Sequence, residues 1–217
     1  MKTILLSSLF IILSTSIYGQ KKEYDINALL QKQKLTSINR NTSPVTDGKI
    51  KGVKLDENAE EGIVWLNDVI FSNGTLEIDL RGQDVFQRSF LGLAFHGVND
   101  STYDAVYFRP FNFHAEDPIR KIHAVQYISH PVHTWKKLRD EQNGIFEKAL
   151  VNPPDANGWF HARIEVSDKT ISVYVNKDTT PSLTVTKISN QKTGKVGLWV
   201  GDGSGGEFAN LRITKSK

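Results

Sequence analysis

After residue 33 hydrophobic residues recur at every second position, and no long stretch carries the 3.6-residue period of an amphipathic helix. The segments TLEIDLRG, SFLGLAFHG, DAVYFRPF, HAVQYIS, WFHARIEVS, KTISVYVN, SLTVTKI, GKVGLWVG and EFANLRIT read as strands, with KIKGVKL and GIVWL as weaker ones upstream. Turn signals separate them: Asn73-Gly74 precedes one strand, and Ser167-Asp168-Lys169 joins two closely enough for a hairpin. So many short strands predict an all-β protein, a sandwich or a closed barrel. Two irregular stretches, about 111–123 and 130–157, read as long loops, which on such scaffolds carry function or cover an edge.

Alternation assigns faces. Leu76, Ile78 and Leu80 point to a core while Thr75, Glu77, Asp79 and Arg81 point away. By the same rule Leu91, Leu93 and Phe95 oppose Gly92, Ala94 and His96, and Val106 and Phe108 oppose Ala105, Tyr107 and Arg109. His161, Arg163 and Glu165 lie opposite Phe160, Ala162, Ile164 and Val166, and Trp199 alternates away from Val196, Leu198 and Val200. Several strands are therefore expected to have one apolar face and one of mixed carboxylates, guanidinium groups, imidazoles and aromatic rings.

The opening MKTILLSSLFIILSTSIYGQ has a positive charge at Lys2, an apolar run from Ile4 to Leu13 and small residues up to Gly19. Residues 1–19 are predicted to be a secretory signal peptide cleaved after Gly19, too short in its apolar run to span a bilayer, so an exported protein, periplasmic or extracellular, is expected. Residues 20–33 read as a polar spacer or a short surface helix, and residues 34–217 as one domain. With no cysteine, neither disulfides nor a cysteine-linked lipid is available. The balance of 27 basic against 24 acidic residues gives no electrostatic case for nucleic acid.

The segments FSNGTLEIDLRG, FLGLAFHG, YDAVYFRPFNF, HAVQYISHPVHTW, NGWFHARIEVSDKTISVYVN and GKVGLWVGDGSGGEFANLRIT resemble secreted bacterial proteins of the concanavalin A-like lectin/glucanase superfamily, close to laminin-G-like modules. The closing G-x-V-G-L and F-x-N-L-x-I strands are common to many such domains. The RPFN element with QYISHP is similar to a narrower group of sugar-binding or hydrolase-like proteins near the 3-keto-disaccharide hydrolases. The resemblance implies a jelly roll of two antiparallel sheets, the more curved one offering a concave face to glycans.

Superfamily glucanases carry E-x-D-x-x-E on one strand, the outer carboxylates being nucleophile and acid; here Glu77 and Asp79 match, but Gly82 occupies the third position. The alternative is a solvated face on which Arg81 offsets both acids. Arg109 offers a rigid fork of donors for vicinal hydroxyls or a uronate carboxylate, with Tyr107 beside it to stack on a sugar and Pro110 turning Asn112 back toward the same place. The competing reading pairs Arg109 with Glu77, Asp79 or Glu165. Gln126, His96, Arg81 and Trp199 join the candidates by face, and Trp135 is either a rim platform or a loop anchor. His114, His123, His130 and His133 have no fixed zinc spacing, and calcium is a candidate only in the turn holding Asp202 and Glu207. The expected partner is carbohydrate. The leading expectation is a glycan-binding protein using Arg109, Tyr107, Asn112, Gln126, Arg81 and Trp199. The alternatives are a glycoside-processing enzyme using Glu77, Asp79, His96 or Glu165, and an adhesive module that binds protein.

Overall fold

A computed structural model describes residues 20–216, so the expected signal peptide lies outside the described residues. The strands in chain order are β1 (Lys21–Tyr24), β2 (Leu35–Ile38), β3 (Thr42–Asp47), β4 (Ile50–Leu55) and β5 (Gly62–Phe71). Then come β6 (Gly74–Arg81), β7 (Leu91–Asn99), β8 (Thr102–Phe108), β9 (Val125–His130) and β10 (Glu147–Lys148). The last five are β11 (Phe160–Val166), β12 (Thr170–Val175), β13 (Leu183–Thr186), β14 (Gly194–Val200) and β15 (Gly206–Lys215). They form two antiparallel sheets packed as a sandwich, a jelly-roll all-β fold. The first runs β13-β12-β11-β6-β15-β4-β3, with β1 also on β15, and the second runs β10-β9-β8-β7-β14-β5-β2.

The two sheets differ in burial. In β6 and β11 inward residues are buried and outward ones half-exposed, the alternation expected of a sheet with one wet face. Nearly every residue of β7, β8 and β9 is buried, on both faces. The expected polar outer face of these strands is thus roofed over. Part of that roof is helix α3 (Trp135–Glu141); it and the short helix α2 (Pro118–Lys121) lie inside stretches read as loop. Thr134 caps it by accepting from Lys137 N at 3.3 Å, and its Leu138 is buried.

Residues 20–33 are also part of the fold. β1 pairs with Leu211–Thr214 of β15, and Glu23 lies 3.1 Å from Arg212. Asp25 caps helix α1 (Ile26–Gln31), accepting from Ala28 N at 2.9 Å, and Ile26 is buried in the core. β1, like the sheet-edge β3 with its Pro44, is short and mostly exposed, so neither shows the hydrophobic signal by which the inner strands are read.

His96 departs from the alternation. A bulge between Phe95 and Asn99 gives it φ +52° and turns its ring inward against Phe71 and Phe95. There it is fully buried, with Nδ1 2.9 Å from Asp104 Oδ2 and Nε2 2.6 Å from the Ser72 carbonyl, while the Tyr127 hydroxyl donates to Asp104 Oδ1 at 3.1 Å.

One register line sets the outer face of the second sheet: Ile63, Trp199, Gly92, Tyr107, Gln126 and Glu147 lie side by side across β5, β14, β7, β8, β9 and β10. Gly92 leaves a gap in that row, and the Tyr107 and Trp199 rings meet there with centroids 4.7 Å apart. A Cβ on Gly92 would sit 2.1 Å from the Val106 carbonyl oxygen and 2.6 Å from Tyr107 Cα. Gly92→Ala should therefore lose roughly 3 kcal/mol of stability by overpacking. Gly48→Ala, at φ +58° with nothing within 4 Å, should lose about 1 kcal/mol through backbone strain alone. Urea midpoints of the two variants measure this, and equal losses would mean that β7 and β8 do not approach so closely.

Candidate functional site

Above the row lies a cleft of about 470 Å³. Tyr107, Arg109 and Trp199 form its floor; the β6–β7 loop brings Phe86 and Phe90, the β8–β9 connection Asn112 and Arg120, and α3 Trp135 and Arg139. Glu61, just before β5, and Asp202, just after β14, close the far side.

Arg109 is buried at 3 % exposure. Its Nη1 donates to the His123 carbonyl at 2.9 Å and lies 3.4 Å from Glu147 Oε2, and its Nη2 donates to the Tyr107 hydroxyl and to Gln126 Oε1. Arg139 reaches the same carboxylate with two bonds, 2.9 Å from Nε and 2.7 Å from Nη2. Burial alone would raise the Glu147 carboxyl, but the Arg139 hydrogen bonds and the Arg109 charge hold it below its usual range. Burial lowers the Arg109 guanidinium and pushes the Tyr107 hydroxyl up to about 12. His123 Nδ1 is 2.8 Å from Glu147 Oε2 but is not aligned for a hydrogen bond; burial keeps this imidazole below its ordinary value. The cluster also shapes the cleft wall. Gln126 Nε2 holds the Trp135 carbonyl at 3.4 Å, and the turn Pro110–Asn112 places Asn112 Nδ2 3.3 Å from the His123 carbonyl.

Of the expected carbohydrate residues, Arg109, Tyr107, Asn112, Gln126 and Trp199 thus come together, and Arg81 does not. Tyr107 and Trp199 are 1 % and 3 % exposed and press on each other, so neither has a ring face free to stack on a sugar. The accessible rings belong to Trp135 and Phe86, 43 % and 56 % exposed. Trp135 starts α3 at the rim of the cleft, and the Arg139 guanidinium lies 5.2 Å from its ring. Glu61, Phe86, Phe90, Arg120, Arg139 and Glu147 were absent from the sequence-level site. They sit in connections or at a two-residue strand, where period carries no signal; only Thr134 followed by Leu138 hinted at a helix that would present Arg139.

Alternation assigns a face within a sheet but not which sheet, and this separates the remaining candidates. Glu77, Asp79, Arg81 and Glu165 lie on the outer face of the first sheet, across the sandwich from Arg109. The expected Arg109 ion pairs with them are replaced by Glu147. Nor do Glu77 and Asp79 meet His96, which is in the core of the other sheet. On the first sheet Arg163, Glu77, Arg212 and Glu23 occupy one register line of alternating charge across β11, β6, β15 and β1. Asp79 Oδ1 is 2.6 Å from His161 Nδ1, and its Oδ2 accepts from Asn210 at 2.6 Å. Glu165 pairs with Arg163. Arg81 is held by Asp47 and Glu207 and lies over Trp159, so Glu207 is engaged by an arginine, whereas Asp202 faces the cleft and accepts from Glu60 N at 2.6 Å. The candidate calcium pair is thereby split, and among the described residues no group of three or more histidines and acids has metal-holding geometry. Of the loop histidines, His114 meets the Pro154 carbonyl and His130 stacks on Tyr103.

The chain has a concanavalin A-like jelly-roll fold. It is similar to the carbohydrate-binding module CBM66 from Bacillus subtilis, with a TM-score of 0.60 and 18% identity over 83% of this chain and 96% of that one. It also resembles Bacillus licheniformis β-glucanase (TM-score 0.52, 14% identity, 91% and 99% covered). A third likeness is the exoplasmic/lumenal domain of VIP36 in its Ca2+/Man3GlcNAc-bound form (TM-score 0.52, 10% identity, 85% and 84% covered). No protein-family model matches the chain, and no curated protein matches it by sequence.

Arg109→Ala should cost about 3–5 kcal/mol, because it strips a buried hydrogen-bonded cluster of its central donor; urea unfolding measures this, and a loss below about 1 kcal/mol would contradict the assigned role. The His161–Asp79 pair carries a pH signature. The Asp79 hydrogen bond raises His161 above its ordinary 6.5, so that contribution is complete below 6.5 and fades as pH climbs through the folded value. Burial would raise Asp79, but hydrogen bonds from His161 and Asn210 take it below its ordinary 3.8, so its contribution is present above 3.8 and fades as pH falls through the lower folded value. The pair therefore stabilises most between pH 3.8 and 6.5. A ring-proton NMR titration of His161 should give a midpoint above 6.5, and a midpoint at or below it refutes the pairing.

Proposed function

We propose that the chain is an exported glycan-binding protein whose saccharide site is the cleft on the outer face of the second sheet. The observation that carries this reading is the pairing, inside one cleft, of exposed rings at Trp135 and Phe86 with planar polar groups of Asn112 and the arginines. Sugars present both apolar C–H faces and directional hydroxyls, and such a lining meets both needs. Export rests on the reading of residues 1–19.

The glycoside-processing alternative is weaker. Glu77, Asp79 and His96 do not converge, and Glu147, the carboxylate beneath the cleft, is held ionised by two arginines, the opposite of what a general acid requires. The adhesive reading has no feature that favours it over a saccharide in this cleft.

Calorimetric titration with a broad saccharide panel tests the proposal. A binding sugar is expected to lose about tenfold in affinity in Trp135→Ala, from removal of one stacking ring worth about 1.4 kcal/mol, with the variant still folding cooperatively. No saccharide binding across the panel overturns the proposal.

A further inference from the structure

The charges in the cleft are sorted by strand. Arg109, Arg120 and Arg139 stand on the side of β8, β9 and β10, while Glu61 and Asp202 stand at the ends of β5 and β14. At about 4.8 Å per strand, the two groups are separated by on the order of 10 Å.

Arg109 and Arg139 share one carboxylate, Glu147. Arg120 is different. Among the described residues no carboxylate forms an ion pair with it; its Nε donates to Asn112 Oδ1 at 3.3 Å and its Nη2 to the Phe111 carbonyl at 2.7 Å. The Phe86 ring lies 4.5 Å from its guanidinium carbon. These neutral partners fix the orientation of the fork, leave its charge uncompensated and spare its remaining N–H donors. A guanidinium held in this way is pre-organised for a planar anion, which it binds through two parallel hydrogen bonds. On the far side Glu61 Oε2 accepts from the Tyr103 hydroxyl at 2.6 Å, with Oε1 3.7 Å from His130 Nε2, and Asp202 Oδ1 accepts from Glu60 N, so each acid is held in place and retains acceptor capacity for hydroxyl donors.

We infer that the cleft selects an acidic sugar, a uronate unit of a glycan, with its carboxylate on Arg120 and its hydroxyls toward Glu61 and Asp202. This rests on the glycan-binding reading and adds to it the charge and the orientation of the ligand. A neutral sugar fills the same space but leaves the Arg120 charge unpaired.

The test is calorimetry of the protein with oligomers of galacturonate, glucuronate and mannuronate, each beside its methyl ester, which removes the charge and keeps the ring. The expected result is that one acid binds at least about tenfold more tightly than its ester, the value of one charge-assisted contact, and that added sodium chloride narrows the gap. Arg120→Gln should close the gap, whereas Trp135→Ala should weaken acid and ester alike. The salt series on the unaltered protein decides the matter even where the arginine variant fails to fold. Equal affinity for every acid and its ester, or binding of neutral glycans alone, overturns the acidic-sugar inference and leaves glycan binding standing. No binding of any saccharide, acidic or neutral, overturns both.

Discussion

The buried carboxylate of Glu147, shared by Arg109 and Arg139, is the interaction on which the shape of the cleft depends. It joins the helix α3 and the short strand β10 to the end of β8, 38 residues back along the chain. A carboxylate at 1 % exposure is tolerable only when its charge is met by partners that are themselves fixed. Those partners are fixed in turn, Arg109 by the His123 carbonyl, the Tyr107 hydroxyl and Gln126. The wall of the cleft is therefore set by buried polar contacts rather than by loop packing alone.

The same network explains YFRPFNF, the aromatic-flanked arginine in the middle of the chain. Arg109 follows Tyr107 by two and so shares its face; Phe108 between them points into the core; Pro110 ends the strand and starts the turn that brings Asn112 under the cleft. Arg109 is thus chiefly a buried fastener that forms the floor of a site. The donors with capacity left for a ligand lie around it.

What was legible in the sequence follows from this. The strands β6, β11 and β12 have a strict period of two and a single core-facing set, so their existence and faces could be read directly. The membership of each strand in one sheet or the other is a property of long-range pairing, and alternation is blind to it. That is why Glu77 and Arg109 looked like neighbours and lie on opposite outer faces. Alternation misplaces His96 because one extra residue in a bulge reverses the face of everything at that point. Arg120, Phe86 and Glu61 come from connections, where side-chain direction is set by the scaffold and leaves no periodic trace.

The two outer faces show why similar composition leaves an aromatic-floored cleft on one sheet and a ladder of charges on the other. On the first sheet, register places Arg163, Glu77, Arg212 and Glu23 in a line of alternating sign, and the charges are met on the sheet itself, Arg212 by Glu23, Arg163 by Glu165 and Glu77 by His161. Such a face is satisfied by itself and by water. On the second sheet the corresponding line contains Trp199, Gly92 and Tyr107, which no charge ladder can satisfy, so it must be covered. The cover is made of connections that carry their own charges, and they meet the sheet at Glu147. The cleft is what remains where the roof is held open, and the residues at its edge, Arg120 above all, carry charge that the scaffold itself does not consume.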